Sequence, residues 1–443
     1  MNFISIEYYI ALLVILLLLT TVKKYEKKYL LILIINYVFA YLFGIHVLVT
    51  LLVITIYSYL ISKLIIKNKK YLLISIFPII LIIILFKLLN VTNNIIVPIG
   101  LSFYGLQAIG YLVDISKNNS LCENDFILFA CGLSFFPAIS SGPIEKLVNL
   151  LPKLKNDLGY NTIKSQQGIQ LITEGLFKRL VIANRIVDYV NTIYANPNNY
   201  NGLSILIAII LYAIQIYCDF SAYSDIAIGS AKLIGIDLTN NFDNPYFSKS
   251  IKEFWRKWHI SLSSWLKEYV YIPLGGNRVS PIRKTINVII TFIVSGLWHG
   301  FNITYFIWGL IHGLANAVPI KKTDNKLCNF LTTLLTFVFV CLSWVFFRAN
   351  TITTALDIYS GLFTRFALDI NSISGAIIIF TGDIMSVPYV ITTFIMIMIL
   401  FIKEWICTYK TSSYKENIYL CIIVICIILF GTNGNGAFIY QGF

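Results

Sequence analysis

Charge is scarce in this sequence. Of 443 residues, 12% are Asp, Glu, Lys or Arg and 58% are hydrophobic, whereas in an ordinary soluble domain about a quarter of residues are charged. A water-soluble globule with that balance would have too little polar surface to cover itself. Soluble, disordered, fibrous and DNA-binding classes are therefore excluded, and the composition reads as an all-α polytopic membrane protein. Cysteine is present eight times but without CxxC pairs or Cys/His ligand spacing, which removes any basis for a zinc site or a disulfide framework. Cys131, Cys218, Cys341, Cys421 and Cys426 lie in apolar runs and are expected to be buried small hydrophobes. No GxSxG elbow, Walker loop, HExxH motif or Rossmann fingerprint occurs, so the common hydrolase, nucleotide, metalloprotease and dinucleotide signatures are absent. Histidine is left as the best available catalyst. No internal repeat, low-complexity linker or second domain is visible.

The net charge of +13 is placed like that of a membrane protein. Lys23, Lys24, Lys27 and Lys28 follow the first apolar run, and Lys67, Lys69 and Lys70 separate two others. Clusters of this kind mark the cytoplasmic ends of spans and contact lipid headgroups, so no nucleic-acid partner is expected. The first segment, MNFISIEYYIALLVILLLLT, lacks a basic start and a small-residue cleavage site. It is expected to be a retained transmembrane helix with an extracytoplasmic N-terminus. Further apolar runs lie near 30–47, 47–66, 71–90, 95–113, 125–140, 203–218, 285–299, 302–318, 328–347, 372–402 and 417–431. The runs 95–113 (Pro98, Gly100, Gly105, Gly110) and 131–143 (Gly132, Pro137, Gly142, Pro143) are too rich in Gly and Pro to cross simply. Broken backbone at membrane depth is tolerated only when buried in protein or lining a cavity, so a re-entrant core is expected. An aromatic content of 15% fits interfacial belts and a lined cavity.

Three polar segments carry chemical information. In 243–278, Phe254, Trp258, Leu262, Trp265 and Tyr269 recur at helical steps, with Lys252, Arg256, His259 and Ser263 on the opposite face. A single amphipathic helix at the interface is expected, with His259 beside Arg256 and Ser263. Such a helix serves equally as a plain interfacial anchor. In 295–313, His299 sits inside an apolar stretch next to Trp298, and an ionisable residue at that depth is a functional candidate because its burial is costly. A core histidine satisfied by a neighbour is the alternative. Asn302 shares its face if the helix continues. His312 lies thirteen residues on, roughly 220° around the helix at about 100° per residue, and like His46 is read as structural. In 215–225, Asp219 and Asp225 stand in an apolar helix. Buried carboxylates need partners, and the candidates are Arg and Lys of the amphipathic segment or a histidine whose ring they would orient; a structural hydrogen-bond network is the alternative. A buried neutral histidine can take a proton from a hydroxyl as that oxygen attacks an activated acyl group.

On these residues the chain resembles the membrane-bound O-acyltransferase (MBOAT) family. Within it, the chain resembles the branch of bacterial alginate O-acetyltransferases, peptidoglycan O-acetylation membrane subunits and teichoic-acid D-alanyltransferases. The matching pieces run in order: VPIGLSFYGLQAIGYLVD (97–114), FFPAISSGPIEK (135–146), GLFKRLVIANRI (175–186), the stretch from YAIQIYCDFSAYSD through FWRKWHISLSSWLKEYVYIPLGGNR (212–278), SGLWHGFNITYFIWGLIHG (295–313) and WVFFRA (344–349). The resemblance implies one integral-membrane domain over 1–443. Its motif-bearing core spans about 95–349, and a ring of tilted and re-entrant helices surrounds a central tunnel. His299 in WHG is then the implied catalytic base, and His259 in RKWHISLS the implied second histidine lining the tunnel. Asn302 falls in the motif's polar position, and Asp219, Asp225, Glu145, Arg256 and Asn277 lie in matching motifs; Ser263 and Trp298 complete the implied lining. The SGPI motif is followed here by Glu145-Lys146 in place of an acidic-arginine pair, which keeps the charge and loses bidentate hydrogen bonding.

The implied activity is acyl transfer, with acetyl the leading group, in the bacterial cytoplasmic membrane. The donor would be a cytoplasmic thioester, acetyl-CoA or an acyl carrier protein, with no bound cofactor and no metal. The acceptor would be the hydroxyl of an extracytoplasmic polysaccharide or cell-wall polymer, reached directly or through a periplasmic or extracellular acetyltransferase partner. Transfer of D-alanine from a carrier protein toward teichoic acid is the alternative. Lys146, Lys153, Lys155, Lys178 and Arg179 are expected to offer a docking surface for either donor. A polar-solute transporter using Asp219, Asp225 and His299 is the third reading, against which the missing inverted repeat counts.

Overall fold

A computed structural model describes residues 4–93, 96–140, 142–318, 325–381, 387–409 and 416–432. Nineteen α-helices are found among these residues. They are α1 (Ile6–Thr21), α2 (Tyr25–Phe43), α3 (Ile45–Lys67), α4 (Leu72–Asn93), α5 (Leu101–Lys117), α6 (Phe126–Leu133), α7 (Leu147–Asn156), α8 (Thr162–Leu176), α9 (Asn184–Ala195), α10 (Gly202–Leu233), α11 (Ile251–Lys257), α12 (Ile260–Leu266), α13 (Pro281–His299), α14 (Ile303–Ala317), α15 (Lys326–Arg348), α16 (Ile352–Thr364), α17 (Ile370–Thr381), α18 (Val387–Tyr409) and α19 (Glu416–Phe430). No strand occurs among the described residues; a single antiparallel bridge joins Phe242 to Trp258. Among the described residues, five helices are long and apolar enough to cross a membrane: Ile45–Lys67, Lys69–Asn90, Gly202–Leu233, Lys326–Arg348 and Val387–Tyr409. The protein is an all-α, multi-pass membrane protein, as the composition predicts.

Helix boundaries follow local chemistry. Gly44, at φ 133°, turns the chain between α2 and α3, in a conformation that costs a residue with a Cβ. Asp125, Asn201 and Ser250 cap α6, α10 and α11 by accepting hydrogen bonds from first-turn N–H groups. Ser280 followed by Pro281 starts α13, with proline where its missing N–H costs nothing. The apolar run 372–402 is divided between α17 and α18, and residues 382–386 between them lie outside those described.

The re-entrant expectation is met for one segment and revised for another. α6 has eight residues, about 12 Å at 1.5 Å per residue, too short to cross. The turn that follows, 134–140, is wholly buried, as broken backbone in an apolar interior must be; Ser141 lies outside the described residues. In 95–113, whose residue 95 lies outside the described residues, the break is confined to 96–100. Gly105 and Gly110 stay within α5 and serve close packing, against Ile83 of α4 and against Trp265 and Tyr269.

α10 organises the molecule. Its 32 residues are mostly buried and reach about 48 Å, well beyond a hydrocarbon core of about 30 Å, so it must tilt or project. Two buried apolar clusters meet along it. One takes in Tyr223–Ala231 together with α1–α7, and the other takes in Ile205–Phe220 together with α9, α15 and α18. α8 lies against α10 almost backbone to backbone: a Cβ at Gly229 would sit 2.6 Å from the Gly168 carbonyl oxygen, and one at Gly168 2.7 Å from that of Gly229. Small residues allow this approach in a membrane, where dispersion replaces the hydrophobic effect. Between α8 and α9 the chain widens into a π-helical segment, Phe177–Ala183. Its Leu180 carbonyl accepts from the Thr432 N–H at 3.0 Å, and Asn184 donates to the Thr432 carbonyl at 2.6 Å.

Gly229→Ala is expected to lower the unfolding temperature in detergent by several degrees, since overpacking typically costs about 1–3 kcal/mol. Gly375→Ala, where an added Cβ meets only Asn201 Nδ2 at 3.5 Å, should leave it unchanged or raised. Fluorescence-detected thermal unfolding separates the two.

Candidate active site

His299 is the last residue of α13, and the helix does not continue. Gly300 ends it, and Asn302 starts α14 as its cap. The Asn302 Oδ1 accepts from the Thr304 N–H at 3.2 Å and its Nδ2 donates to the Asn350 carbonyl at 2.8 Å. Asn302 thus caps α14 and ties its start to Asn350, which replaces the expected shared face with His299. The His299 ring is buried among aromatic edges, with centroids 4.8 Å from Trp298, 4.9 Å from Phe347 and 5.5 Å from Trp308. α13 and α14 pack closely through Gly296, Gly309 and Gly313, which presses this corner into the protein.

The amphipathic helix expected within 243–278 is also interrupted. α11 ends at Lys257 and α12 begins at Ile260, with His259 between them at φ 45°. For a non-glycine residue this left-handed backbone costs roughly 1–2 kcal/mol, and such strain collects at functional positions held by their surroundings. Here the holding element is the stretch 241–243. Asp243 N–H donates to the Lys257 carbonyl and Ile260 N–H to the Asn241 carbonyl, each at 3.0 Å. Asn241 Oδ1 accepts from the Ser261 hydroxyl at 2.6 Å and its N–H at 3.3 Å, and Asn241 Nδ2 reaches Ser224 of α10 at 3.1 Å. The break turns His259 inward: it is 1% exposed, with its ring 4.6 Å from Phe220 and 6.2 Å from Trp298. Arg256 is exposed and separated from it. Ser263, half-buried, donates to the Trp258 carbonyl at 3.2 Å. The expected polar face of His259, Arg256 and Ser263 does not form, because the chain reverses hand between the first two.

The two histidines therefore share Trp298, whose ring contacts both, and His299 lies within electrostatic range of His259. Each sits where the two apolar clusters meet: His259 between Trp258 of one and Leu262 of the other, and His299 between Trp298 and Trp308 in the same way. The remaining sequence candidates lie in other settings. Asp219 pairs with Arg179, and Asp225 pairs with Lys178 at 2.7 Å; both cations come from the π segment and not, as expected, from the amphipathic 243–278 segment, and both pairs join α10 to the π segment. Asn277 is exposed and accepts from the Tyr271 hydroxyl at 2.7 Å. Glu145 is buried and accepts from the Thr239 N–H, while Lys146 pairs with Glu268. His312 is fully buried, bonded to Trp255 at 3.2 Å and Ser343 at 2.9 Å, the structural role expected of it. His46 is exposed.

The expected docking surface is smaller than its five cations. Lys178 and Arg179 are buried in their ion pairs, which removes them; Lys155 is exposed and Lys153 half-buried. Nearby Lys164 and Lys232 are committed to Asp237. Although burial works to raise that carboxyl, their hydrogen bonds hold it below the usual carboxylate range. Cysteines 131, 218, 341 and 426 are buried as expected, whereas Cys421 is exposed on α19.

Two residues near the histidines went unflagged in the sequence. Asn241 carries no periodic signal and acts only through the loop it closes. Lys87 is a lone cation in the apolar run LLISIFPIILIIILFKLLNVTN. It ends a buried stripe of α4 at steps of four, Ser75, Ile79, Ile83 and Lys87, and its ammonium donates to the Trp298 carbonyl. The rule that singled out His299, an ionisable group inside an apolar stretch, also applies to it.

Residues 19–319 match the membrane-bound O-acyltransferase family, about two thirds of the chain. The protein belongs to that family. Both histidines, their flanking residues and Lys87 fall within the matched MBOAT region. A Pseudomonas aeruginosa protein named "Probable alginate O-acetylase" is 37% identical over 277 residues, covering 62% of this chain and 53% of its own length. A peptidoglycan O-acetyltransferase of Helicobacter pylori is 35% identical over 305 residues, covering 61% and 58%. A teichoic acid D-alanyltransferase of Streptococcus thermophilus is 27% identical over 295 residues, covering 62% and 71%. The chain thus spans a little over half the length of the first two.

Lys178→Met, which strands Asp225 inside this MBOAT core, is expected to destabilise by about 3 kcal/mol or more. Adding Asp225→Leu should recover most of that loss. Unfolding temperatures of the two variants in detergent provide the comparison, and equal losses would show that the pair is not coupled.

Proposed function

We propose that the protein is an envelope O-acyltransferase of the bacterial cytoplasmic membrane. It moves an acyl group, acetyl in the first reading, from a cytoplasmic thioester to a hydroxyl of an extracytoplasmic polysaccharide or cell-wall polymer. The observation that carries this reading is the buried WHG turn: His299 stands at an interrupted helix end, shares Trp298 with His259, and lies in a chain of the MBOAT family. His299 takes the proton of the acceptor hydroxyl as its oxygen attacks the thioester carbonyl, then returns that proton to the departing thiolate. Such general-base help is worth about 10²–10⁴-fold, and holding donor and acceptor together supplies much of the remainder. The thioester already carries the activation, so the step calls for no metal or bound cofactor. His259, Trp298 and Asn302 shape the path to the base. Asp219 and Asp225 serve it indirectly, by fixing α10 against the π segment. The N-terminus is outside in this scheme, and an extracytoplasmic acetyltransferase partner passes the group on to the polymer.

Transfer of D-alanine from a carrier protein is the second reading. It rests on the similarity to the D-alanyltransferase of Streptococcus thermophilus, of which the match spans 71%. Lys153 and Lys155 would then face an acidic carrier.

Mass spectrometry of envelope and secreted glycans from wild-type and His299→Ala cells decides between them. Loss of acetyl esters in the variant by at least about 100-fold is the expected result. Loss of alanyl esters instead would establish the second reading. Unchanged esters, with the variant protein at normal level, would remove His299 from the chemistry.

A further inference from the structure

Lys87 is 6% exposed, and it points inward from α4. Its ammonium has three N–H donors. One goes to the Trp298 carbonyl, and the group also lies 5.3 Å from the centroid of the Trp298 ring. Among the described residues it pairs with no carboxylate, in contrast to the buried Lys178 and to Lys403, which is bonded to Glu174. Trp298 is joined to His299 by a peptide bond, and His299 lies within electrostatic range of Lys87.

Part of this arrangement is a helix cap. The Trp298 carbonyl is one of the last of α13, without a partner inside its own helix, and a cation suits the negative end of the helix. A neutral amide or hydroxyl would satisfy that carbonyl with far less desolvation. What a helix terminus returns to a cation is small beside the penalty of burying a whole ammonium without a counter-anion. Lys87 carries its full charge when an anion meets it, and the reaction supplies one.

We infer that Lys87 is the electrophilic residue of the site, the charge that receives the negative oxygen formed on the thioester carbonyl. The inference rests on the acyl-transfer reading above. The acceptor oxygen bonds to the acyl carbon while its proton moves to the His299 imidazole. The carbonyl π pair moves onto oxygen, where the spare Lys87 N–H groups hold it. The pair then returns, the C–S bond breaks, and the thiolate takes the proton from the His299 imidazolium. Lys87 keeps its own proton throughout. Preorganised donors at a developing oxyanion act most strongly where water is excluded, and the aromatic surroundings of His299 exclude it.

The test uses the purified full chain with acetyl-CoA and with a D-alanyl carrier-protein thioester, measuring thiol release against acyl transfer. Lys87→Gln keeps a donor for the Trp298 carbonyl and drops the charge; Lys87→Arg keeps the charge. Lys87→Gln should elute and unfold like wild type. Its kcat should fall by about 100–1000-fold, the usual loss on removing one oxyanion donor, with KM for the thioester little changed. Lys87→Arg should regain at least part of that loss. A folded Lys87→Gln protein with kcat near wild type would overturn the inference. So would loss of folded protein on both substitutions, which would make Lys87 a structural cap alone. His299→Ala is run alongside. Wild-type turnover in that variant would sink the general-base reading without touching the Lys87 result, and a wild type inert toward both donors would overturn the two together.

Discussion

A helix that ends inside an apolar interior leaves carbonyl and N–H groups with no water to take them. The architecture around the histidines is an answer to that constraint. α13 stops at His299 and α14 restarts at Asn302; α11 stops at Lys257 and α12 restarts at Ile260. Each interruption is closed by polar groups: the Lys87 ammonium on the Trp298 carbonyl, the Asn302 side chain between Thr304 and Asn350, and Asn241, whose backbone carbonyl takes the Ile260 N–H and whose side-chain oxygen takes the Ser261 N–H. An unbroken helix would need none of these partners, but it would also keep its histidine in register with one fixed face. The breaks free the two rings to turn toward Trp298.

The same economy governs charge. α10 is the longest helix and runs through both apolar clusters, yet it carries Asp219 and Asp225 in its interior. Each is answered by a cation from the π segment, Arg179 or Lys178, and Glu174 is answered by Lys403 of α18. These bonds tie α8, α10, α18 and the π segment into one frame behind the histidines. A frame built from paired charges resists sliding in a way that lipid-like side chains do not, because any shift strands an ion.

Much of this was legible in the sequence, for reasons that differ by residue. Membrane placement follows from composition alone. His299 stood out because an ionisable group in an apolar run needs a purpose, and Asp219 and Asp225 stood out for the same reason. The partners of the two aspartates could not be read, since Lys178 and Arg179 looked like part of a cytoplasmic basic face until the fold buried them. His259 is visible in the sequence, but its surroundings are not. Periodicity treats 252–269 as one helix, and nothing in a periodic pattern reports a single residue at φ 45°. Asn241 was invisible because its role is long-range. Lys87 was legible and was hidden by its neighbours, a hundred residues that otherwise say only that they sit in lipid.

The π segment has a consequence in time. Leu180 offers its carbonyl to Thr432, 252 residues later, while Asn184 binds the same threonine from the other side. A ribosome adding about 5–20 residues per second takes about 13–50 s to cover that interval. Throughout that time the widened turn is already made, and the residue that completes it does not yet exist. During synthesis, the middle of the chain must wait in the bilayer with this carbonyl either held by water or borrowed by another group. Closure of the π segment, and with it the frame behind the histidines, therefore waits until α19 has been made.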